Sequence, residues 1–106
     1  MSYRFMRVLV LFDLPSVTSL DLKNYRNFRN YLIKSGFLML QESVYCKLVL
    51  NNTAQNTLVE NLNRNKPKKG LITVLTITEK QFQKMIFLIG EKNTQVLDSD
   101  NRIVIL

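Results

Sequence analysis

Hydrophobic and polar positions change their spacing several times along the chain, and each change marks the end of a predicted element. A continuous apolar run from Tyr3 to Phe12 predicts a strand that is covered on both faces. From Val17 or Thr18 to Ser35, apolar residues recur at three- and four-residue spacing, which predicts an amphipathic helix. Its apolar stripe comprises Leu22, Tyr25, Phe28 and Leu32. Thr18 or Ser19 is the expected N-cap with Asp21 in the first turn, and Gly36 is the expected left-handed C-terminal cap.

The middle of the chain predicts a hairpin followed by a second helix. Phe37–Gln41 and Val44–Leu50 have the composition of strands, and a tight polar turn joins them. A capping sequence at Asn51–Thr53 then precedes a helix whose apolar residues are spaced by four. These residues are Ala54, Leu58 and Leu62. The helix is expected to end in the polar run Asn63–Gly70.

The last third predicts one further strand and an extension. Leu71–Ile77 alternates β-branched residues and leucine, as strands do. Thr78 and Gln81 have the spacing of a capping box, so a short helical turn carrying Phe82 and Met85 should follow. Phe87–Ile89 and Arg102–Leu106 are two more strand-like segments.

The predicted order β-α-β-β-α-β is that of the α+β, ferredoxin-like fold, an antiparallel sheet with two helices on one face. We expect one domain, 1–106, with a core at 1–78 and a C-terminal extension at 79–106 that binds a dimer mate or another partner. In the first strand, Val8 and Val10 point to one face and Leu9 and Leu11 to the other, so helices cover only one apolar set. The bare face predicts a homodimer through stacked sheets, with the extension strands added to an exposed sheet edge of either protomer.

The charge balance narrows the class of partner. The chain has 15 basic and 8 acidic residues and no histidine, a net charge of +7. This excess favours a polyanion, most simply nucleic acid, over a protein that is basic only for solubility. The lone Cys46 is expected to be a small buried hydrophobe, which is typical of a reducing cytoplasm. No apolar stretch approaches the ~20 residues that span a bilayer, so no membrane partner is expected.

Asp13 ends the first apolar run, and a lone carboxylate beside apolar neighbours needs donors or a cation. One interpretation is that it accepts backbone N–H groups in the following loop. The other is a metal site, in which two Asp13 residues across a dimer axis would hold one Mg²⁺ together with waters and a phosphate. With no histidine in the chain, cleavage of a phosphodiester would depend on a metal-activated water.

Two basic segments are candidates for phosphate contact. The first is a polar strip on the first helix with Lys23, Arg26, Arg29 and Asn30; the alternative is a solvated helix face. The second is the run NRNKPKKG, whose cations are Arg64, Lys66, Lys68 and Lys69. Arg4 and Arg7 lie on opposite faces of the first strand, and at least one should meet an acid such as Glu42 or an anionic ligand. The aromatic residues Tyr25, Phe28 and Tyr31 are interpreted as packing rather than base-stacking groups.

Several segments together resemble the CRISPR-associated protein two family of type II-A systems. They are YRFMRVLVLFDLP, YRNFRNYLIKSGF, QESVYCKLVLNN, NKPKKG and LTITEKQFQKMIFLIGEKN, which together span most of the chain. The resemblance implies a ferredoxin-like homodimer that acts in spacer acquisition. Such a dimer bridges two dimers of the CRISPR-associated integrase (protein one) and binds double-stranded protospacer DNA through its phosphate backbone.

The same resemblance implies a magnesium-dependent endonuclease, acting on single-stranded RNA or duplex DNA, with Asp13 at the position of the metal aspartate. Arg26 and Arg29 lie in the segment that supplies phosphate contacts in the family. Some members carry an arginine where this chain has Leu38-Met39-Leu40, a difference that favours the scaffold role over cleavage. A third hypothesis is a small toxin-like ribonuclease outside any CRISPR system, because the fold is shared.

Overall fold

The apolar run near the N-terminus forms a central strand of a four-stranded antiparallel sheet in the computed structural model, which describes residues 5–90. The strand order is β2-β3-β1-β4. The elements are β1 Met6–Asp13, α1 Ser19–Lys34, β2 Leu38–Gln41, β3 Val44–Val49, α2 Asn52–Asn65, β4 Leu71–Thr78 and α3 Glu79–Gln83. This is the predicted ferredoxin-like arrangement, and the predicted elements of the core are confirmed to within a few residues.

The helix boundaries follow from local hydrogen bonding. Thr18 is the N-cap of α1: its hydroxyl accepts from the N–H of Asp21 at 3.0 Å, and Asp21 accepts from the N–H of Thr18 at 3.1 Å. At the other end, Gly36 has φ +94°, and the N–H of Phe37 returns to the carbonyl of Leu32. The predicted capping box of α3 is also present, between Thr78 and Gln81. Ser43 adopts φ +65° in the turn between β2 and β3.

The main core lies between the sheet and the two long helices. Even-numbered residues of β1 from Val8 to Phe12 pack against Phe28 and Leu32 of α1 and against two leucines of α2. Two residues of the predicted helix stripes are exposed: Leu22, which is 44% exposed, and Ala54. Both lie in the first turn of their helix.

The opposite face of the sheet, which we call the second face, is not bare. Phe82 of α3 is buried there against Leu9 and Cys46, with Ile77 and Met85 beside them. The expectation of a wholly uncovered face is therefore wrong, because the capping box turns the chain back over the sheet directly after β4. At the β4 edge, Leu71 and Leu75 on this face are 66% and 50% exposed.

The extension differs from the expected strands where it is described. Residues 87–89 form no strand, and Leu88 and Ile89, which lie in bends, are 92% and 94% exposed. Within residues 5–90 these positions pair with no neighbouring strand, and a strand requires one. The segment Arg102–Leu106 and residues Tyr3 and Arg4 lie outside the described residues. The division of the chain at 78/79 and the homodimer stay predictions.

Candidate nucleic-acid interface

Asp13 is the last residue of β1, and its side chain is exposed. It pairs in the sheet with Leu71, the first residue of β4. The carboxylate borders a shallow opening of about 220 Å³ that Ser43, Val44 and Thr73 also line. Among residues 5–90 no hydrogen bond to this carboxylate is formed, so the expected backbone donors of the following loop do not engage it.

A single chain offers an incomplete magnesium site at this position. Within the described part of the chain, no group of three or more carboxylate, thiol or imidazole side chains lies close enough to share an ion. Magnesium is held by one or two carboxylates, with waters and phosphate oxygens completing its octahedron. Asp13 fits that chemistry as one ligand, and a second Asp13 would have to come from another copy.

Gly70 fixes the end of the basic run against the end of β1. Its φ of +106° belongs to the region that L side chains rarely adopt. A Cβ at this position would lie 2.9 Å from the carbonyl oxygen of Asp13 and 2.6 Å from Cδ2 of Leu14. Because the backbones approach so closely, Lys68 and Lys69 are held beside the turn that follows Asp13.

Lys69 and Asp21 line a small crevice between this run and the start of α1. The backbone N–H of Thr18 donates to Asp21 and lowers the pKa of its carboxyl, and the positive charge of Lys69 acts in the same direction. The one acid in this crevice is therefore engaged in the helix cap, and it does not leave an uncompensated negative charge beside Lys69.

The cations predicted on α1 differ in their hydrogen bonding. Lys23 and Arg26 are exposed. Arg29 donates from Nε to the hydroxyl of Tyr45 at 3.0 Å, and Tyr45 is 2% exposed. One predicted phosphate contact is thus tied to a core tyrosine, which restricts the directions in which its guanidinium can reach.

The cations at the end of α2 are exposed and oriented by neighbouring asparagines. Arg64 donates to Oδ1 of Asn61 at 2.9 Å, and Lys66 donates to Oδ1 of Asn63. Lys66 is the C-cap of α2, where a positive charge is favoured by the helix dipole. Pro67 follows and prevents the helix from continuing.

The fold brings the two basic segments together. The last residues of α2 and the run after it lie beside α1, and a groove of about 280 Å³ separates them. Asn24 and Asn27 line one side, and Asn65 and Lys66 the other. Sequence reasoning identified Lys66 but not the asparagines, because a pattern along one chain does not show which helix face meets which loop.

A second group that the sequence left open lies on the second face. Arg7 is only 1% exposed, and it donates from Nε and Nη2 to the two carboxylate oxygens of Glu79 at 2.7 and 3.1 Å. Its guanidinium carbon lies 4.4 Å from the ring centroid of Phe82. The acid that meets Arg7 is therefore Glu79 and not Glu42. The sequence feature that indicated an ion pair was an arginine inside an apolar run, since a buried guanidinium must be paired.

Comparison with known proteins agrees with this geometry. Residues 6–85, which include β1 to α3, match the family described as CRISPR associated protein Cas2. The chain belongs to the Cas2 family. Aromatic residues of this Cas2-family chain pack as predicted: Phe28 is buried, and its ring lies 5.3 Å from that of Phe12.

Curated relatives match over nearly the whole chain. The chain is 54% identical to a protein of Treponema denticola named CRISPR-associated endoribonuclease Cas2, over 95% of this chain and 100% of that protein. A protein of the same name from Streptococcus mutans is 50% identical, over 95% of this chain and 93% of its own length. Another from Ligilactobacillus salivarius is 41% identical, with 95% and 100% covered. None of the helices among residues 5–90 has the length and hydrophobicity that crossing a membrane requires.

Proposed function

We propose that this Cas2-family chain is a structural subunit of CRISPR spacer acquisition in the cytoplasm. In this role a homodimer bridges two dimers of the CRISPR-associated integrase and binds protospacer duplex DNA through the phosphate backbone. The integration chemistry belongs to the integrase. The role of this chain is to hold the duplex and to set the distance between the two integrase dimers.

The observation that carries the proposal is the adjacency of the two basic segments. Lys66 and Lys69 line openings that α1 also lines, and Lys23 and Arg26 are exposed on that helix. Clustered exposed cations release counterions when they meet phosphates, which supplies affinity without sequence preference. A cradle for DNA of any sequence needs that property.

The second face supports the dimer in this proposal. After α3 has docked, Leu71 and Leu75 at the β4 edge remain at least half exposed. Apolar side chains on an otherwise covered sheet face favour contact with a second sheet. A second copy stacked there would also place two Asp13 side chains in one shared cleft, since Asp13 pairs with Leu71.

The second candidate function is a magnesium-dependent endonuclease that acts on single-stranded RNA or duplex DNA. Two observations favour it: the relatives are named endoribonucleases, and the carboxylate of Asp13 is exposed without a hydrogen bond among residues 5–90. A bound Mg²⁺ would supply Lewis acidity and an activated water. Asp13 from each copy would hold the ion between them, one ion per dimer.

Replacing Asp13 separates the two functions. Asp13→Ala and the isosteric Asp13→Asn are assayed for spacer integration with the reconstituted integrase complex and, separately, for cleavage of RNA and duplex DNA with Mg²⁺. Glu60→Gln, which removes another exposed acid, is the matched control. The scaffold role predicts that both Asp13 variants integrate spacers as well as the control does. Loss of integration by variants that still assemble as dimers with the integrase would instead assign the metal role.

The basic surface is tested by the triple replacement of Lys66, Lys68 and Lys69 with Gln. Duplex binding should weaken for all sequences, and the slope of log K against log salt should become less negative by up to about 3. A triple replacement of exposed Gln or Asn residues elsewhere does not change the slope. If the lysine variant keeps the parental slope, this run does not contact DNA and the proposed cradle is wrong.

A further inference from the structure

The groove between α1 and the end of α2 has a composition that its basic surroundings do not explain. Its polar lining consists of Asn24, Asn27, Asn65 and Lys66, and Phe28, Tyr31 and Pro67 also line it. No acidic side chain lines it. A surface that was basic only for solubility would expose lysine and arginine here, as the strip on α1 does. Most of the polar lining of this groove is asparagine instead.

Asn24 and Asn27 lie three positions apart, so their side chains share one face of α1. Neither side-chain amide makes a hydrogen bond to another residue in the range 5–90. Asparagine is a weak former of helix interiors because its amide competes for backbone groups. Neither residue caps α1, whose caps are Thr18 and Ser35. Folding alone therefore gives no reason for two asparagines at these positions.

The other side of the groove is already oriented. Asn65 donates from Nδ2 to the carbonyl of Asn61 at 2.8 Å, which fixes its amide at the end of α2. Lys66 donates to Oδ1 of Asn63, and its ammonium group has two further N–H donors. Neutral amide donors on one wall thus face a positively charged donor on the other.

We propose that this groove binds one phosphodiester group of the DNA backbone, with Asn24 and Asn27 donating to its non-bridging oxygens and Lys66 supplying the charge. Asparagine side chains donate to phosphate oxygens in protein–DNA interfaces. This inference depends on the proposed function, and it names the residues that fix the register of the duplex on the dimer.

Neutral and charged donors leave different signatures in the salt dependence of binding. Removing an amide loses a hydrogen bond but does not change the number of counterions that binding releases from the DNA. Affinity should therefore fall while the slope of log K against log salt stays constant. We expect Asn24→Ala and Asn27→Ala each to weaken duplex binding by about five- to tenfold at constant slope. Lys66→Gln should weaken binding and make the slope less negative by about 1.

The measurement is a fluorescence anisotropy titration of full-length protein with a labelled DNA duplex of mixed sequence at several salt concentrations. Asn56→Ala is the matched control, since Asn56 is an exposed asparagine on α2 outside the groove. Alanine is the stronger helix former, so loss of binding by the α1 variants cannot be attributed to a weakened helix. Circular dichroism melting confirms that point for each variant.

The outcomes distinguish this inference from the proposed function. If the α1 variants bind like Asn56→Ala while Lys66→Gln is weakened, the phosphate groove is wrong and the DNA cradle stands. If the α1 variants change the slope as much as Lys66→Gln does, the amides are not neutral donors to phosphate and the inference is overturned. If Lys66→Gln and the triple lysine variant both bind normally, the proposed function fails at this surface and the groove fails with it.

Discussion

The buried ion pair between Arg7 and Glu79 predicts an unequal response to the removal of its two partners. Arg7 is 1% exposed and cannot lose its proton, whereas the side chain of Glu79 is 14% exposed. Glu79→Gln therefore removes the carboxylate that faces a permanently charged guanidinium buried beneath α3. Arg7→Met leaves a carboxylate that is partly exposed and can reach water. The first variant should be the more damaging.

The expected losses in the free energy of unfolding follow from that difference. Breaking a buried ion pair by removing one partner costs about 3–5 kcal/mol, and we expect Glu79→Gln to fall in this range. For Arg7→Met we expect about 1–3 kcal/mol, because the apolar side chain keeps its contact with Phe82 while Glu79 is only partly desolvated. The double variant Arg7→Met, Glu79→Leu removes both charges of the pair, and it should lie within about 1 kcal/mol of the parent protein.

Urea unfolding at one fixed protein concentration measures these differences, since the stability of an oligomer depends on concentration. A loss of 3 kcal/mol should also lower the melting temperature by at least about 12 °C. Lys80→Gln, an exposed change on the same short helix, is the control and should lie within about 0.5 kcal/mol of the parent. If Arg7→Met were as damaging as Glu79→Gln, or if neither exceeded the control, the account of the second face would be refuted.

Two further predictions concern Gly70, beside the end of β1, and Cys46 within β3. Gly70→Ala should destabilise the protein by roughly 1–3 kcal/mol, because the new Cβ meets the backbone of Asp13 at a positive φ; Gly90→Ala, with open space around its Cβ, is the control for urea unfolding. Burial raises the pKa of the Cys46 thiol to about 11 from its ordinary 9.0, although the nearby Arg7 guanidinium acts in the opposite direction. The folded state thus retains a proton that the unfolded state loses, so stability should fall between about pH 9 and 11, and Cys46→Ala should fall less steeply over that range. Equal slopes for the two proteins would contradict the assignment.

The hydrophobic pattern was sufficient to predict the fold, because each element carries its own local signal. β1 contains the apolar run Val8–Phe12, and β4 mostly alternates between half-buried and exposed positions. Gly36 has the backbone conformation that its position after the helix predicted. Capping residues fixed the starts of α1 and α3, since their hydrogen bonds span only three residues.

Long-range features were less accessible from the sequence. The partner of Arg7 lies 72 residues further along the chain, and Glu79 has no local feature that distinguishes it from other acids. Phe87–Ile89 has the composition of a strand, but pairing depends on a neighbouring edge that local composition does not report. Leu22 has the helical spacing of a core residue, yet it is 44% exposed, because spacing along one helix does not report which neighbours cover it.

The candidate interface was predictable as a set of cations but not as a surface. Charge along the chain identified the basic run after α2 and the strip on α1. Their adjacency, and the asparagines between them, depend on the packing of α1 beside the end of α2. Likewise, the hydrogen bond between Arg29 and Tyr45 joins α1 to β3, and no spacing along the chain indicates it.

The antiparallel register of β1 and β4 has a practical consequence for work with this protein. Met6 pairs with Thr78, so the polypeptide enters and leaves the sheet at one end, while Asp13 and Leu71 pair at the other. Seven residue steps, roughly 23 Å, separate those two ends. A spectroscopic probe attached near Met6 or Thr78 would therefore report on the end of the sheet away from Asp13, and a probe at Leu71 would report on the end that contains it.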